Sequence, residues 1–184
     1  MDDIFTPWVI VLIVACSAAL LVLSFRVLFG KNEHEAKLAE IFENRKIRDG
    51  LKYLNTQTNY RFTSLFRFDR ENLHNLYLFD RENPAIESSD DIPVTTSYCV
   101  YVRDSGNLFL VQDSSCDARV VGHPKRDVIK AYCGVPLKDR QGRLFGTICH
   151  FDVNPVSPQL GEVKLLKRAA NILRPHLSDL APPP

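Results

Sequence analysis

From Ile4 to Phe25 the chain carries no charged side chain, and the run is built almost entirely from Val, Ile, Leu, Ala and Phe. No other feature constrains the architecture as strongly. About 20 apolar residues in a helix cross the ~30 Å hydrocarbon core of a bilayer. A helix resting on a soluble core shows a polar face at 3.6-residue spacing, and this run shows none. A cleavable signal peptide is the competing reading, but it requires a positive n-region and a small-residue cleavage site. Here the n-region is Asp2–Asp3, and the small residues from Ala15 to Ala19 lead into more hydrophobics. Residues 1–30 are therefore expected to be an N-terminal transmembrane anchor that enters the membrane through residues 4–25. Arg26 and Lys31 follow the run, with Lys37, Arg45 and Lys46 further on. Positive flanks stay inside, so the expectation is a single-pass protein of the inner (plasma) membrane with its C-terminal domain cytoplasmic. Trp8 falls where an indole favours the outer headgroup zone.

The remainder of the 184 residues has room for one ordinary domain. Lys and Arg number 23 against 22 Asp and Glu, a net charge of +1, so there is no basic footprint for nucleic acid. The five cysteines are odd in number and form no C-x-x-C pair. That spacing supports neither a disulfide framework nor a zinc site. It fits a reducing compartment, with the cysteines mostly small buried residues. No metal and no cofactor are predicted.

Residues 31–57 read as a membrane-proximal linker helix with a broken apolar stripe of Leu38, Ile41, Phe42, Ile47, Leu51 and Leu54, weakened at Gly50. It either pairs with its copy in a dimer or packs on its own sheet. Alternation in Phe62, Phe66 and Phe68, and in Leu73, Tyr77 and Phe79, predicts a hairpin around the turn DREN. A loop closed by Pro93 follows. A short helix then starts at Thr95 or Thr96 and stops at Gly106, and NLFLVQD is a third strand. VIKAYCGVPL and RLFGTICHFDV are paired strands that turn at Gly142. The last helix is expected to begin with Ser157 as cap and Pro158 in its first turn. Its seam of Val163, Leu166, Ala170, Leu173 and Leu177 has the spacing that docks one helix on another. Residues 179–184 read as a disordered tail. Strands joined mainly by hairpins, with helices to one side, make an α+β domain.

At this point the residues become recognisable. SYC at Ser97–Cys99, LFLVQDSSCDAR at Leu108–Arg119 and HP at His123–Pro124 come first. YCGVPL at Tyr132–Leu137 and GRLFGTICHFDVNP at Gly142–Pro155 follow, with Ile148 where Leu is usual. Together, residues 58–178 resemble a GAF domain of the kind found in bacterial signalling proteins. The resemblance implies an antiparallel sheet of five to six strands with helices on one face and a small-molecule pocket under the connections on the other. It also implies a homodimer through the terminal helices. If a pocket is present, its candidate ligand-binding residues are Tyr98 and Tyr132 at the edges and Asp113, Asp117, Arg119 and His123 in the roof, although a charged loop is more often simply solvated.

Cys149 and His150 adjoin on a strand, so they face opposite sides of the sheet and cannot act as a nucleophile–base pair. Cys149 is read as a core cysteine, and bilin attachment is disfavoured. No cyclic-nucleotide signature and no Gly-rich phosphate cradle are present. The first functional reading is a membrane-anchored, non-catalytic sensory module that binds a small molecule and signals through dimer or protein-partner contacts, since no output domain follows Leu177. The second is a ligand-free interaction module. The third is a cysteine-dependent reductase of free methionine sulfoxide, with Cys99, Cys116 and Cys133 meeting over the pocket.

Overall fold

The structure, a computed structural model, describes residues 33–180. The expected anchor at 4–25, its flanking charges and the end of the tail at 181–184 lie outside the described residues. Among the described residues no helix is long and apolar enough to cross a membrane. The chain divides into two compact units, 1–37 and 38–184. Residues 33–37, the described part of the first unit, are helical; the elements below belong to the second.

Six antiparallel strands form one sheet. In chain order they are β1 (Phe62–Asp69), β2 (Asn72–Asp80), β3 (Ile92–Pro93), β4 (Phe109–Val111), β5 (Ala131–Lys138) and β6 (Leu144–Asp152). Their order across the sheet is β3-β2-β1-β6-β5-β4. The expected hairpins are present, and β3 adds a two-residue edge strand inside the segment read as a loop, pairing Ile92 with Leu73. At the β5–β6 turn, Gly142 holds φ at 80°, and the Asp139 carboxylate accepts the Gln141 and Arg143 amides at 2.9 Å each.

Alternation along the strands divides the core in two. Leu65, Cys133, Val135 and Ile148 belong to a cluster on one face, and Phe66, Tyr132 and Cys149 to a cluster on the other. A β-bulge complicates β2. Leu65 pairs with Tyr77 but Phe66 pairs with Asn75, which leaves Leu76 extra. A bulge residue reverses the facing of everything beyond it. Leu73 and Phe79, which share a parity in the sequence, therefore pack on opposite faces.

The first face is covered by α1 (residues 38–43), α2 (Ile47–Thr56) and α4 (Glu162–Leu173). The single helix expected over 31–57 is broken at Arg45, whose φ is 56°, a conformation that no α-helix continues through. The break folds α1 back on α2. Gly50 then lies against the Phe42 ring, where a Cβ would come within 2.0 Å of it. Leu38, Phe42, Leu51 and Leu54 are buried in the domain's own core, so this stripe is not a free linker surface.

The final helix also starts later than expected. Gly161 has φ of 90° and stands directly before Glu162, so Ser157 and Pro158 lie in irregular chain outside the helix. Its seam turns inward. Leu166, Ala170, Leu173 and Leu177 are buried against the sheet, which removes them as a dimer surface. Beyond Leu173 the chain tightens into a 3-10 stretch, Arg174–Leu180. The first two residues of the expected tail, 179 and 180, fall in this stretch, and Asp179 pairs with Arg45 at 3.1 Å.

The helices are not all on one face. The short helix α3 (Cys99–Ser105) packs on the second face, where Cys99 and Val102 meet Val111, Tyr132 and Cys149. It ends at Gly106 with φ of 62°, as expected. It starts later than Thr95 or Thr96, which lie in a separate 3-10 turn, Val94–Thr96. The residue before it, Tyr98, makes no side-chain cap, and the Ser97 hydroxyl accepts the Cys99 amide at 3.2 Å.

Candidate functional site

The second face of the sheet floors a cavity of about 370 Å³, within the range of small-ligand pockets. Phe62, Phe66, Leu78, Tyr132, Cys149 and Phe151 form its floor. Ile92, Ser97, Tyr98 and Cys99 wall one side, Ile129 and Lys125 another, and Ser89 and Asp90 contribute polar atoms. The floor is stiffened by ring contacts. Phe62 stacks on Phe151 with centroids 4.7 Å apart, and the Arg61 guanidinium lies 4.6 Å from the Phe62 centroid. Arg61 is itself held by a two-pronged pair with Asp80 at 2.8 and 2.7 Å. Hydrogen bonds from Arg61 draw the buried Asp80 carboxyl down to about 2.

The structure divides the six residues singled out in the sequence. Tyr98 and Tyr132 line the cavity, with ring centroids 5.8 Å apart. His123 stands behind Tyr98, 4.6 Å from it ring to ring, and its Nδ1 accepts the Lys125 amide at 3.1 Å. Burial lowers its pKa. Asp113, Asp117 and Arg119 line a separate shallow groove with Leu110, Gln112 and Cys116. Arg119 pairs with Asp117 at 2.5 Å and donates to the Leu110 carbonyl at 2.6 Å. Asp113 accepts the Ser115 amide at 2.8 Å. These three charges tie their own loop to β4 and do not roof the cavity.

Cys149 and His150 do face opposite sides. His150 is buried on the helix face, where its Nδ1 lies 2.8 Å from the Thr63 hydroxyl. That hydroxyl also accepts the Asn55 amide at 2.9 Å. Burial, with Arg81 nearby, holds the His150 pKa at about 3. Cys149 lies on the cavity side and meets Cys99, not Cys116 or Cys133. Cys116 is exposed on the loop after β4. Cys133 is on the helix face, pushed up to about 12 chiefly by burial.

Cys99 sits among donors. The Tyr132 hydroxyl reaches its Sγ at 3.3 Å, passing over Gly134, where a Cβ would lie 2.2 Å from that hydroxyl. Burial alone pushes the Cys99 thiol up, but hydrogen bonds from Cys149, Ser97 and Tyr132 outweigh it, and its pKa falls below the ordinary thiol value. Cys149 and Tyr132 shift the other way, mainly through burial. Cys99 is thus the thiol of the pair that accepts the phenol hydrogen bond. Nothing in the sequence pattern signals this meeting, and the grouping expected from sequence is Cys99 with Cys116 and Cys133 instead. The partner of Cys149 lies 50 residues away on another element.

The family is decided by a sequence model described as GAF domain, which matches residues 47–174. The chain belongs to the GAF domain family. No curated protein matches it. Among solved structures, the domain resembles a free methionine-R-sulfoxide reductase from Neisseria meningitidis bound to its substrate. The TM-score is 0.64 at 14% identity, covering 80% of this chain and 87% of that one. It resembles equally the GAF domain of an Acinetobacter phosphoenolpyruvate-protein phosphotransferase, with a TM-score of 0.64 at 10% identity over 80% and 92%. A third is the chromophore-binding domain of a bacteriophytochrome from R. palustris, with a TM-score of 0.64 at 9% identity over 80% and 61%. At such identities the likeness carries the GAF fold alone.

Proposed function

We propose that this GAF domain is a small-molecule sensory module, tethered to the inner membrane through residues 4–25 with the domain on the cytoplasmic side. The observation that carries this reading is the cavity of about 370 Å³ with its aromatic floor. A ligand-free interaction module would have that space filled by side chains. The lining favours a small, largely flat and apolar molecule with one polar end toward Ser97 and Lys125. Signal would leave through a homodimer or a protein partner. Because the α4 seam packs inward, any such contact would use other surfaces.

The test is native mass spectrometry of the full chain in mild detergent, compared with a denatured sample. A non-covalent adduct lost on denaturation supports the sensor. A clean mass, with no thermal shift across a panel of metabolites, would return the domain to the interaction reading.

A second reading is favoured by one observation. The two thiols share the cavity with Asp90 and Lys125, opposite charges of the kind a zwitterionic amino acid would meet. The domain would then reduce free methionine sulfoxide. Thiol-dependent turnover that Cys99→Ser abolishes would establish it.

A further inference from the structure

Three side chains gather around Cys99 in the cavity wall. The Tyr132 hydroxyl donates to Cys99 Sγ at 3.3 Å, the Ser97 hydroxyl accepts the Cys99 amide at 3.2 Å, and Cys149 lines the same cavity in the same buried cluster. Both cysteines are free thiols, about 1% and 0% exposed, yet both border the cavity. A buried structural cysteine is surrounded by apolar atoms and is inert. Cys99 instead accepts a phenol hydrogen bond, and a second thiol lines the same cavity.

We propose that Cys99 and Cys149 form an oxidisable dithiol site in the cavity wall whose oxidant is a small hydroperoxide. The thiolate of Cys99 attacks the terminal oxygen of the hydroperoxide. A sulfur–oxygen bond forms, the O–O bond breaks, and the departing alkoxide or hydroxide takes a proton from solvent through the Tyr132 and Ser97 hydroxyls. Cys99 is then a sulfenic acid. The Cys149 sulfur attacks it, the S–S bond forms, and the hydroxyl leaves as water with the Cys149 proton. The two sulfurs together supply the two electrons that reduce the peroxide, and a dithiol reductant reverses the change.

The donor set favours a peroxide over a sulfoxide as the oxidant. Attack on a sulfoxide requires protonation of its oxygen. The groups around Cys99 are a phenol, a hydroxyl and a thiol, none acidic at neutral pH, and burial makes Tyr132 less acidic still. A peroxide needs a proton only after its O–O bond has broken. A neutral oxidant also suits the apolar floor. The disulfide would replace the Tyr132–Cys99 hydrogen bond and change the wall that a ligand meets, so the site would couple redox state to occupancy. This proposal rests on the cavity being open to small molecules, as in the sensory reading.

The experiment treats the reduced full chain in mild detergent with hydrogen peroxide, blocks free thiols after denaturation, and maps peptides. The expected product links the Cys99 and Cys149 peptides and disappears with dithiothreitol. Cys99→Ser should slow the loss of the Cys149 thiol by at least about tenfold, Cys149→Ser should leave Cys99 as a dimedone-trapped sulfenic acid, and Cys116→Ser should change neither. Oxidation confined to the exposed Cys116 would overturn the site. A Cys99 sulfenic acid that accumulates in the unmodified chain would overturn the pairing. Linkage driven by free methionine sulfoxide but not by peroxide would overturn the oxidant class. The adduct measured on the reduced protein is a separate readout, so a linked pair without an adduct sinks only the sensor, and an adduct without linkage sinks only this site.

Discussion

At the scale of single residues, the domain keeps two adjacent side chains in opposite roles by sending them to opposite faces. His150 is the clearer to test. Its pKa is about 3 when folded and near 6.5 when unfolded. Between those values the unfolded chain binds a proton that the folded chain refuses. Its contribution is therefore complete above pH 6.5 and is lost as pH falls toward 3, at up to about 1.4 kcal/mol per pH unit. His123, also lowered by burial, acts in the same direction, and Glu162, raised by burial, acts in the opposite one. Asp80, at about 2, adds to the loss only below the ordinary carboxylate range. Urea midpoints measured from pH 7.5 down to 4 should fall steadily in the unmodified chain, and His150→Gln should flatten most of that slope. An unchanged slope would mean that His150 is protonated in the fold. The opposite facing of Cys149 and His150 was legible because strand alternation needs only the strand. The Cys99–Cys149 meeting was not, because it depends on how a seven-residue helix sits on the sheet. The charged loop reads two ways from sequence: Asp113, Asp117 and Arg119 have the composition of a recognition surface, but Asp117 and Arg119 are two residues apart and satisfy one another.

Elements are where the sequence reading was strongest and where its errors have a common cause. Both long hairpins and the stop of α3 at Gly106 followed from alternation and from a glycine at a forced φ. The errors come from single residues that interrupt a regular pattern: Arg45 between α1 and α2, the extra Leu76 in β2, and Gly161 before α4. Period counting assumes that no such interruption occurs, and only tertiary packing decides where one falls. The seam on α4 is the case with consequences. Its spacing suits docking on any apolar surface, and the surface it meets is the domain's own sheet, where Leu166 is fully buried. Leu166→Ala should therefore cost about 2–5 kcal/mol of folding stability, read as a lower urea midpoint. The oligomeric state in sedimentation should be unchanged. A variant that dissociates an oligomer while keeping its midpoint would place the seam at an interface after all.

For the molecule as a whole, the sheet separates two kinds of packing. One face is sealed by three helices whose apolar side chains form the larger cluster. The other is covered by α3 and by irregular connections, which fill it incompletely and leave the cavity. A close-packed interior admits few voids larger than a water molecule, so a space of this size over an aromatic floor is an unmet packing opportunity that a ligand can satisfy. Leu78 tests this directly. It lies on the cavity floor, and Leu78→Trp would place an indole in the space a ligand would use. Overpacking costs about 1–3 kcal/mol where a core is already full; here the added ring meets open volume, so the ligand-free variant should melt close to the unmodified protein. A ligand present at a hundred times its Kd stabilises a folded chain by about 2.7 kcal/mol. The unmodified chain should lose that increment when the adduct is removed, whereas Leu78→Trp should carry no adduct and show no such shift. If the variant retains the adduct with undiminished stabilisation, the ligand binds elsewhere and the cavity is not the sensory site.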